Sequence, residues 1–167
     1  MQSRRRFLLQ GAALAATAAM GWRVLAATPK ATPNAETFEV SHTDAEWHGL
    51  LSPDQYDILR DAGTERPYSS PLNSEHRSGR FACAGCQLPL FSSSTKFESH
   101  TGWPSFYAPL AGAVVTSKDT SFGMSRDEVH CHRCGGHLGH VFDDGPAPTG
   151  LRYCMNGLAM TFAQGSA

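Results

Sequence analysis

The chain has 167 residues and a formal net charge of −1, room for one hydrophobic core. Lys and Arg cluster only at the extreme N-terminus, so the cationic surface that nucleic-acid phosphates require is missing and no nucleic-acid partner is expected. With 16 glycines and only 17% charged residues, the composition suits a turn-rich fold better than a bundle of long helices.

Residues Ser3-Arg4-Arg5-Arg6-Phe7-Leu8-Leu9 open the chain and resemble the bacterial twin-arginine export motif. A short Ala/Gly-rich apolar run from Leu8 to Met20 follows, and small residues around Ala26-Ala27 offer a cleavage site. This order is the anatomy of a signal peptide, so residues 1–27 are expected to be a twin-arginine signal and the protein to be periplasmic. An uncut membrane anchor is the alternative. It is opposed by the shortness of the run and its interruption at Arg23. Residues 28–46 contain Pro29 and Pro33 and read as a linker. The remaining domain is placed at 47–167.

Ser52-Pro53-Asp54-Gln55 predicts a helix start, with Ser52 as N-cap, Pro53 at the first helical position and Gln55 closing a capping box. The spacing predicts one helix from Ser52 to Ala62, with Leu51, Tyr56 and Leu59 on its apolar face and Gly63 as its C-cap. Thr64 to Gly79 is rich in Pro, Asn and Ser and reads as loop. Short extended pieces follow, near Arg80–Cys83, Ala113–Ser117, Ser125–Cys131, Leu138–Phe142, Arg152–Cys154 and Leu158–Phe162. They predict a mainly β, antiparallel domain with a short N-terminal helix.

There are five cysteines. Cys83-Ala84-Gly85-Cys86 and Cys131-His132-Arg133-Cys134 each put two sulfurs on one tight turn, with Gly85, Gly135 and Gly136 easing the backbone. Two such turns brought together make a closed four-cysteine structural zinc site, one zinc per chain, with no open position for catalysis. Two disulfides in an oxidising compartment, or a redox-active C-x-x-C, are the alternatives. Export of a folded protein would let the thiols meet zinc in a reducing cytosol first.

Cys154 is then the one thiol left over. Taken alone, a single Cys on a strand is more often a small buried hydrophobe. Trp103 before Pro104 reads alone as a core residue at a turn. His137 and His140 read alone as surface histidines or spare ligands, and Asn156 as a turn residue.

The combination of motifs is more specific. Thr64-Glu65-Arg66-Pro67-Tyr68-Ser69-Ser70-Pro71-Leu72 is followed by the first C-x-x-C and Gly102-Trp103-Pro104-Ser105-Phe106. Next come the second C-x-x-C, His137-Leu138-Gly139-His140-Val141-Phe142, Asp144-Gly145-Pro146 and Arg152-Tyr153-Cys154-Met155-Asn156. In this order, from about Trp47 to Phe162, the chain resembles the zinc-containing methionine-R-sulfoxide reductase family. The resemblance implies an Mss4-like antiparallel β fold and reduction of methionine (R)-sulfoxide in oxidised protein substrates. It implies Cys154 as nucleophile, passing through a sulfenic acid, and His140 as proton donor. His137 and Asn156 would help hold the substrate oxygen or a water. Trp103 would be an apolar wall for the S-methyl group, with Phe142 and Arg152 completing the pocket. Arg152 and the histidines would favour the thiolate, which is the reactive form of a cysteine.

One departure matters. Many members carry a resolving cysteine just before Gly-Trp-Pro-Ser-Phe, and this chain has Thr101 there. An external, thioredoxin-like dithiol is therefore expected to reduce the sulfenic acid, with the protein acting as a monomer. Two other classes compete: a zinc-stabilised binding module that has lost catalysis, and a lyase acting through an open metal position. Four cysteine ligands argue against the second.

Overall fold

The computed structural model describes residues 38–166. The expected signal at 1–27 and most of the expected linker lie outside the described residues. No described helix is long and apolar enough to cross a membrane.

The described part of the expected linker contains a helix that the sequence reading missed: α1, Asp44–Leu50. Thr43 caps it, and Glu46 closes a capping box back onto the Thr43 backbone. It buries one large residue, Trp47, over which the Arg60 guanidinium lies 4.9 Å from the ring centre. The second helix, α2, spans Pro53–Asp61, with Ser52 as N-cap and Gln55 completing its capping box, as expected. It ends on Ala62, which takes the left-handed conformation (φ 55°), and not on Gly63. Ile58 and Leu59 are its buried face.

Among the described residues nine strands follow: β1 (Gly79–Cys83), β2 (Pro89–Ser92), β3 (Lys96–Phe97), β4 (Ser105–Phe106), β5 (Val114–Asp119), β6 (Arg126–Cys131), β7 (His137–Phe142), β8 (Arg152–Met155) and β9 (Met160–Gln164). The six expected strands are present. The piece expected from Leu158 begins instead at Met160, after a 3-10 turn at Gly157–Ala159. The short strands β2, β3 and β4 had no counterpart in the sequence reading.

The strands form two antiparallel sheets, ordered β2-β1-β9 and β3-β4-β8-β7-β6-β5. Phe81 of β1, Phe91 of β2 and Phe106 of β4 are fully buried where the sheets meet. Their rings lie 4.9 Å (Phe81–Phe106) and 4.3 Å (Phe91–Phe106) apart, distances at which aromatic pairs add to simple burial. The chain thus has the mainly antiparallel β architecture that the sequence predicts. β8, which carries Cys154, is an interior strand between β4 and β7, and it brings two neighbours to the thiol.

Candidate active site and metal centre

Strand register builds the site. In the β7–β8 pair His140 stands opposite Cys154, and in the β4–β8 pair Ser105 stands opposite it from the other side. Directly opposed residues on antiparallel strands share a face with Cβ atoms about 4.5–5.5 Å apart. His140 also stands opposite Glu128 of β6. A thiol, an imidazole and a carboxylate therefore line up across three strands.

His137 and His140 are three residues apart, which on a regular strand would send them to opposite faces. The β6–β7 register slips between Val129 and His130: Val129 pairs Gly139 and His130 pairs His137. Leu138 is the extra residue of a β-bulge, and the bulge resets the alternation. The two rings consequently lie 5.5 Å apart on one side. The Leu138 carbonyl is held by Asn156, which donates to it from its backbone N–H (2.8 Å) and its side-chain amide (3.2 Å). The Asn156 Oδ1 accepts from the Glu65 N–H at 3.0 Å. Asn156 thus holds the histidine bulge in place, besides lining the cleft.

Cys154, His140, Trp103, Phe142 and Asn156 line a cleft of about 140 Å³, with Arg126 and Thr64 at its margin. That volume is small beside the roughly 300–1,000 Å³ of usual small-molecule sites, and suits the tip of a side chain. The Trp103 Nε1 donates to the Glu65 carbonyl at 3.1 Å, which fixes the indole as a wall. Arg152 donates to both Asp144 carboxylate oxygens at 2.8 Å and lies 4.4 Å above the Phe142 ring. His137 is set back: it borders a neighbouring cavity with Asp119, Arg126 and Glu128, and not the thiol cleft.

The partners of the histidines were not identified from the sequence. Asp119 Oδ2 lies 2.9 Å from the His140 Nε2, and Arg126 lies 2.5 Å from the same oxygen. Hydrogen bonds from Ser121, then from His140 and Arg126, hold the Asp119 carboxyl well below its ordinary value. Glu128 Oε1 lies 2.5 Å from the His137 Nδ1. Burial pushes the His137 imidazole below its ordinary value, and Glu128 pulls the other way. Glu65 is a third residue to which the sequence assigned no role. Its buried carboxylate accepts from the Gly157 N–H (2.6 Å) and the Leu158 N–H (2.9 Å), anchoring the turn after β8.

Burial pushes the Cys154 thiol above its ordinary value. The pulls against it come from Thr101, then Arg152, then Ser105. Thr101 Oγ1 lies 3.8 Å from the Cys154 Sγ, so the residue just before Gly-Trp-Pro-Ser-Phe touches the Cys154 thiol.

The other four cysteines form a cluster whose sulfurs all lie within 4.8 Å of one another. Cys83 and Cys134 sulfurs are 3.7 Å apart, and Cys86 and Cys131 sulfurs 3.5 Å. Zinc–sulfur bonds of about 2.3 Å at tetrahedral angles put sulfurs about 3.8 Å apart. The residues therefore fit one tetrahedral metal ion, consistent with zinc, and all four positions would be taken by sulfur. The alternatives of two disulfides or a redox C-x-x-C fit less well, because all four sulfurs gather around one point and the 3.5 and 3.7 Å pairs lie far beyond the roughly 2.05 Å of an S–S bond. A bound ion would supply a structural clamp with no open position.

A β scaffold with a four-cysteine metal site, presenting a thiol and an imidazole in an aromatic-walled cleft, suits an oxidoreductase. A SelR domain is recognised over residues 51–164. The chain is 53% identical over 125 residues to the peptide methionine sulfoxide reductase MsrB of Pseudomonas putida (strain W619), covering 74% of this chain and 94% of that one. It is 52% identical over 125 residues to the protein of that name from Agrobacterium fabrum, covering 74% and 93%. For that of Methanosarcina barkeri the identity is 54% over 124 residues, covering 74% and 87%. The chain belongs to the MsrB family of peptide methionine sulfoxide reductases.

Proposed function

We propose that this protein reduces methionine sulfoxide in peptide linkage, and that it takes the R epimer. The names of its relatives support the reaction. The observation that carries the reading is the register that sets His140 opposite Cys154 at an aromatic-walled cleft.

Trp103 and Phe142 receive the S-methyl group, an apolar contact that sulfur makes well with aromatic rings. The Cys154 thiolate attacks the sulfoxide sulfur while His140 delivers a proton to the sulfoxide oxygen. Oxygen passes to Cys154 as a sulfenic acid and the thioether leaves. An external dithiol then attacks the sulfenic sulfur, releasing water and forming a mixed disulfide. Its second thiol breaks that bond, leaving as an intramolecular disulfide and restoring Cys154. His137 and Arg152 act from behind, one beside His140 and the other toward the thiolate. Asn156 keeps an amide at the cleft wall.

The full-length protein is assayed with dithiothreitol and the separated epimers of a blocked methionine sulfoxide. Turnover of the R epimer alone, abolished by Cys154→Ser, is the expected result. Turnover of neither epimer by folded, zinc-loaded protein would return the reading to a binding module. For the donor, we propose a thioredoxin-like protein of the periplasm, reached through the twin-arginine segment. Arg4→Lys with Arg5→Lys should then leave the protein in the cytoplasmic fraction, and unchanged fractionation would refute that route.

A further inference from the structure

Three hydroxyl side chains connect the catalytic thiol to a backbone carbonyl. Thr101 Oγ1 is 3.8 Å from Cys154 Sγ and 2.9 Å from Ser99 Oγ. Ser99 Oγ is 2.7 Å from Ser105 Oγ, and Ser105 Oγ donates to the Trp103 carbonyl at 3.1 Å.

Counting hydrogens fixes the direction of this chain. A carbonyl only accepts, and each hydroxyl has one hydrogen. Ser105 spends its hydrogen on Trp103, so Ser99 donates to Ser105 and Thr101 donates to Ser99. The remaining link is donation from the Cys154 S–H to Thr101. When the thiol loses its proton, that link has no hydrogen. Rotation of the hydroxyls reverses it: Thr101 donates to the sulfur, Ser99 to Thr101 and Ser105 to Ser99. The longest of the oxygen-to-oxygen links, to the Trp103 carbonyl, is given up for one to an anion, and bonds to charged groups are the stronger kind.

The loop bearing Thr101 is held in place for this role. Its neighbours His100 (φ 57°) and Gly102 (φ 93°) both take left-handed conformations. Tyr68 ties down both flanks, donating from its N–H to the Gly102 carbonyl at 2.7 Å and from its hydroxyl to the His100 carbonyl at 2.9 Å. A Cβ at Gly102 would come within 2.7 Å of Pro67 and 2.9 Å of the Tyr68 ring, so Pro67 and Tyr68 pack directly on the loop.

We infer that Ser99, Thr101 and Ser105 form a reversible hydroxyl chain that donates a hydrogen bond to the Cys154 thiolate through Thr101. This rests on the reading of Cys154 as the nucleophile. Thr101 and Ser105 both approach the reacting sulfur, and Ser99 is the positioning residue that links them. The charged and titratable groups around the same sulfur are Arg152 on its own strand, His140 on β7 and Arg126 in the cleft lining. Asp144 pairs with the first, and Asp119 with the other two. The Thr101 hydrogen bond is the largest single influence that lowers the Cys154 pKa, followed by the charge and then the hydrogen bond of Arg152.

The test is the pH dependence of Cys154 alkylation by iodoacetamide, read on the Cys154 peptide by mass spectrometry in the full-length protein. Thr101→Val keeps the shape and removes the hydroxyl. It should raise the midpoint by about one pH unit and slow alkylation at neutral pH by about tenfold. Thr101→Ser should keep the wild-type midpoint. Ser99→Ala should shift the midpoint the same way by less. An unchanged midpoint in either Thr101→Val or Ser99→Ala overturns the chain, and so does a Thr101→Ser midpoint that matches Thr101→Val. The readout needs no sulfoxide, so loss of the proposed reductase activity in the wild type would be seen separately.

Discussion

Two histidines sit 5.5 Å apart beside one thiol, and their surroundings divide their roles. His140 reaches the cleft, while His137 is 4% exposed at its side chain and clasped by Glu128. Its Nε2 has no partner among the described residues. Burial keeps His137 below its ordinary value, so its folded-state pKa lies under the unfolded one. The stability this neutral ring contributes is present above about pH 6.5 and is lost as pH falls through the folded value. In NMR, His137 should titrate below the usual imidazole midpoint. Glu128→Gln, which removes the one partner that raises it, should move that midpoint lower still. A wild-type midpoint above the ordinary imidazole value of about 6.5 would contradict the account. Unfolding midpoints in urea should fall as the pH is taken down through the same window.

At the scale of elements, the bulge on β7 does most to assemble the site. Gly139 sits within it at φ 155°, and a Cβ there would come 2.1 Å from the Cys154 carbonyl oxygen. Gly139→Ala must therefore part β7 from β8 at the place where His140 meets Cys154. Loss of most activity and a drop in stability of about 2–3 kcal/mol or more are expected, on the scale of severe core disruption. Asn156→Ala is the gentler probe. It unpairs the buried Glu65 N–H and leaves the Leu138 carbonyl one donor short, at a cost of about 1–3 kcal/mol. If its role is to hold the bulge, kcat should fall with KM little changed. A rise in KM alone would mark Asn156 as a substrate contact instead.

The same elements show what could be read in advance. Ser52, Pro53 and Gln55 announced α2 because capping is local chemistry, and Thr43 with Glu46 carried an equal signal for α1 that the reading passed over. β5 to β8 alternate or border turns clearly enough to be seen. β3 and β4 have two residues each, too few for any period: β4 exists because β8 supplies a partner, and β3 because β4 does. The motif residues Cys154, His140, Trp103 and Phe142 were legible, and the structure gathers them at one cleft. Asp119 and Glu128 were not, since nothing local ties a carboxylate to a histidine on another strand until the register is known. The shared face of His137 and His140 ran against strand periodicity and needed the bulge to explain it.

For the whole molecule, the cysteine cluster is the joint between the sheets. Cys83 ends β1 of the three-stranded sheet, and Cys131 ends β6 of the six-stranded one. The helices cover this joint: Gly85 lies against Trp47 and Leu59, and Gly136 against Leu59. Four sulfurs at these distances repel one another as anions, and a divalent ion removes that repulsion. Apparent binding energies for such sites are about 10–16 kcal/mol near neutral pH, comparable to the whole stability of a domain. Removing the metal with a chelator under reducing conditions should therefore lower the melting temperature steeply, and adding zinc back should restore it. Cys131→Ser should reproduce the loss. β8 and β7 are not part of the joint, but their cleft depends on the two sheets staying packed. Reductase activity should accordingly fall in step with the folded fraction, not ahead of it. Activity lost at a chelator concentration that leaves calorimetric melting unchanged would mean the metal acts at the cleft, against the closed, structural role that four sulfur ligands dictate.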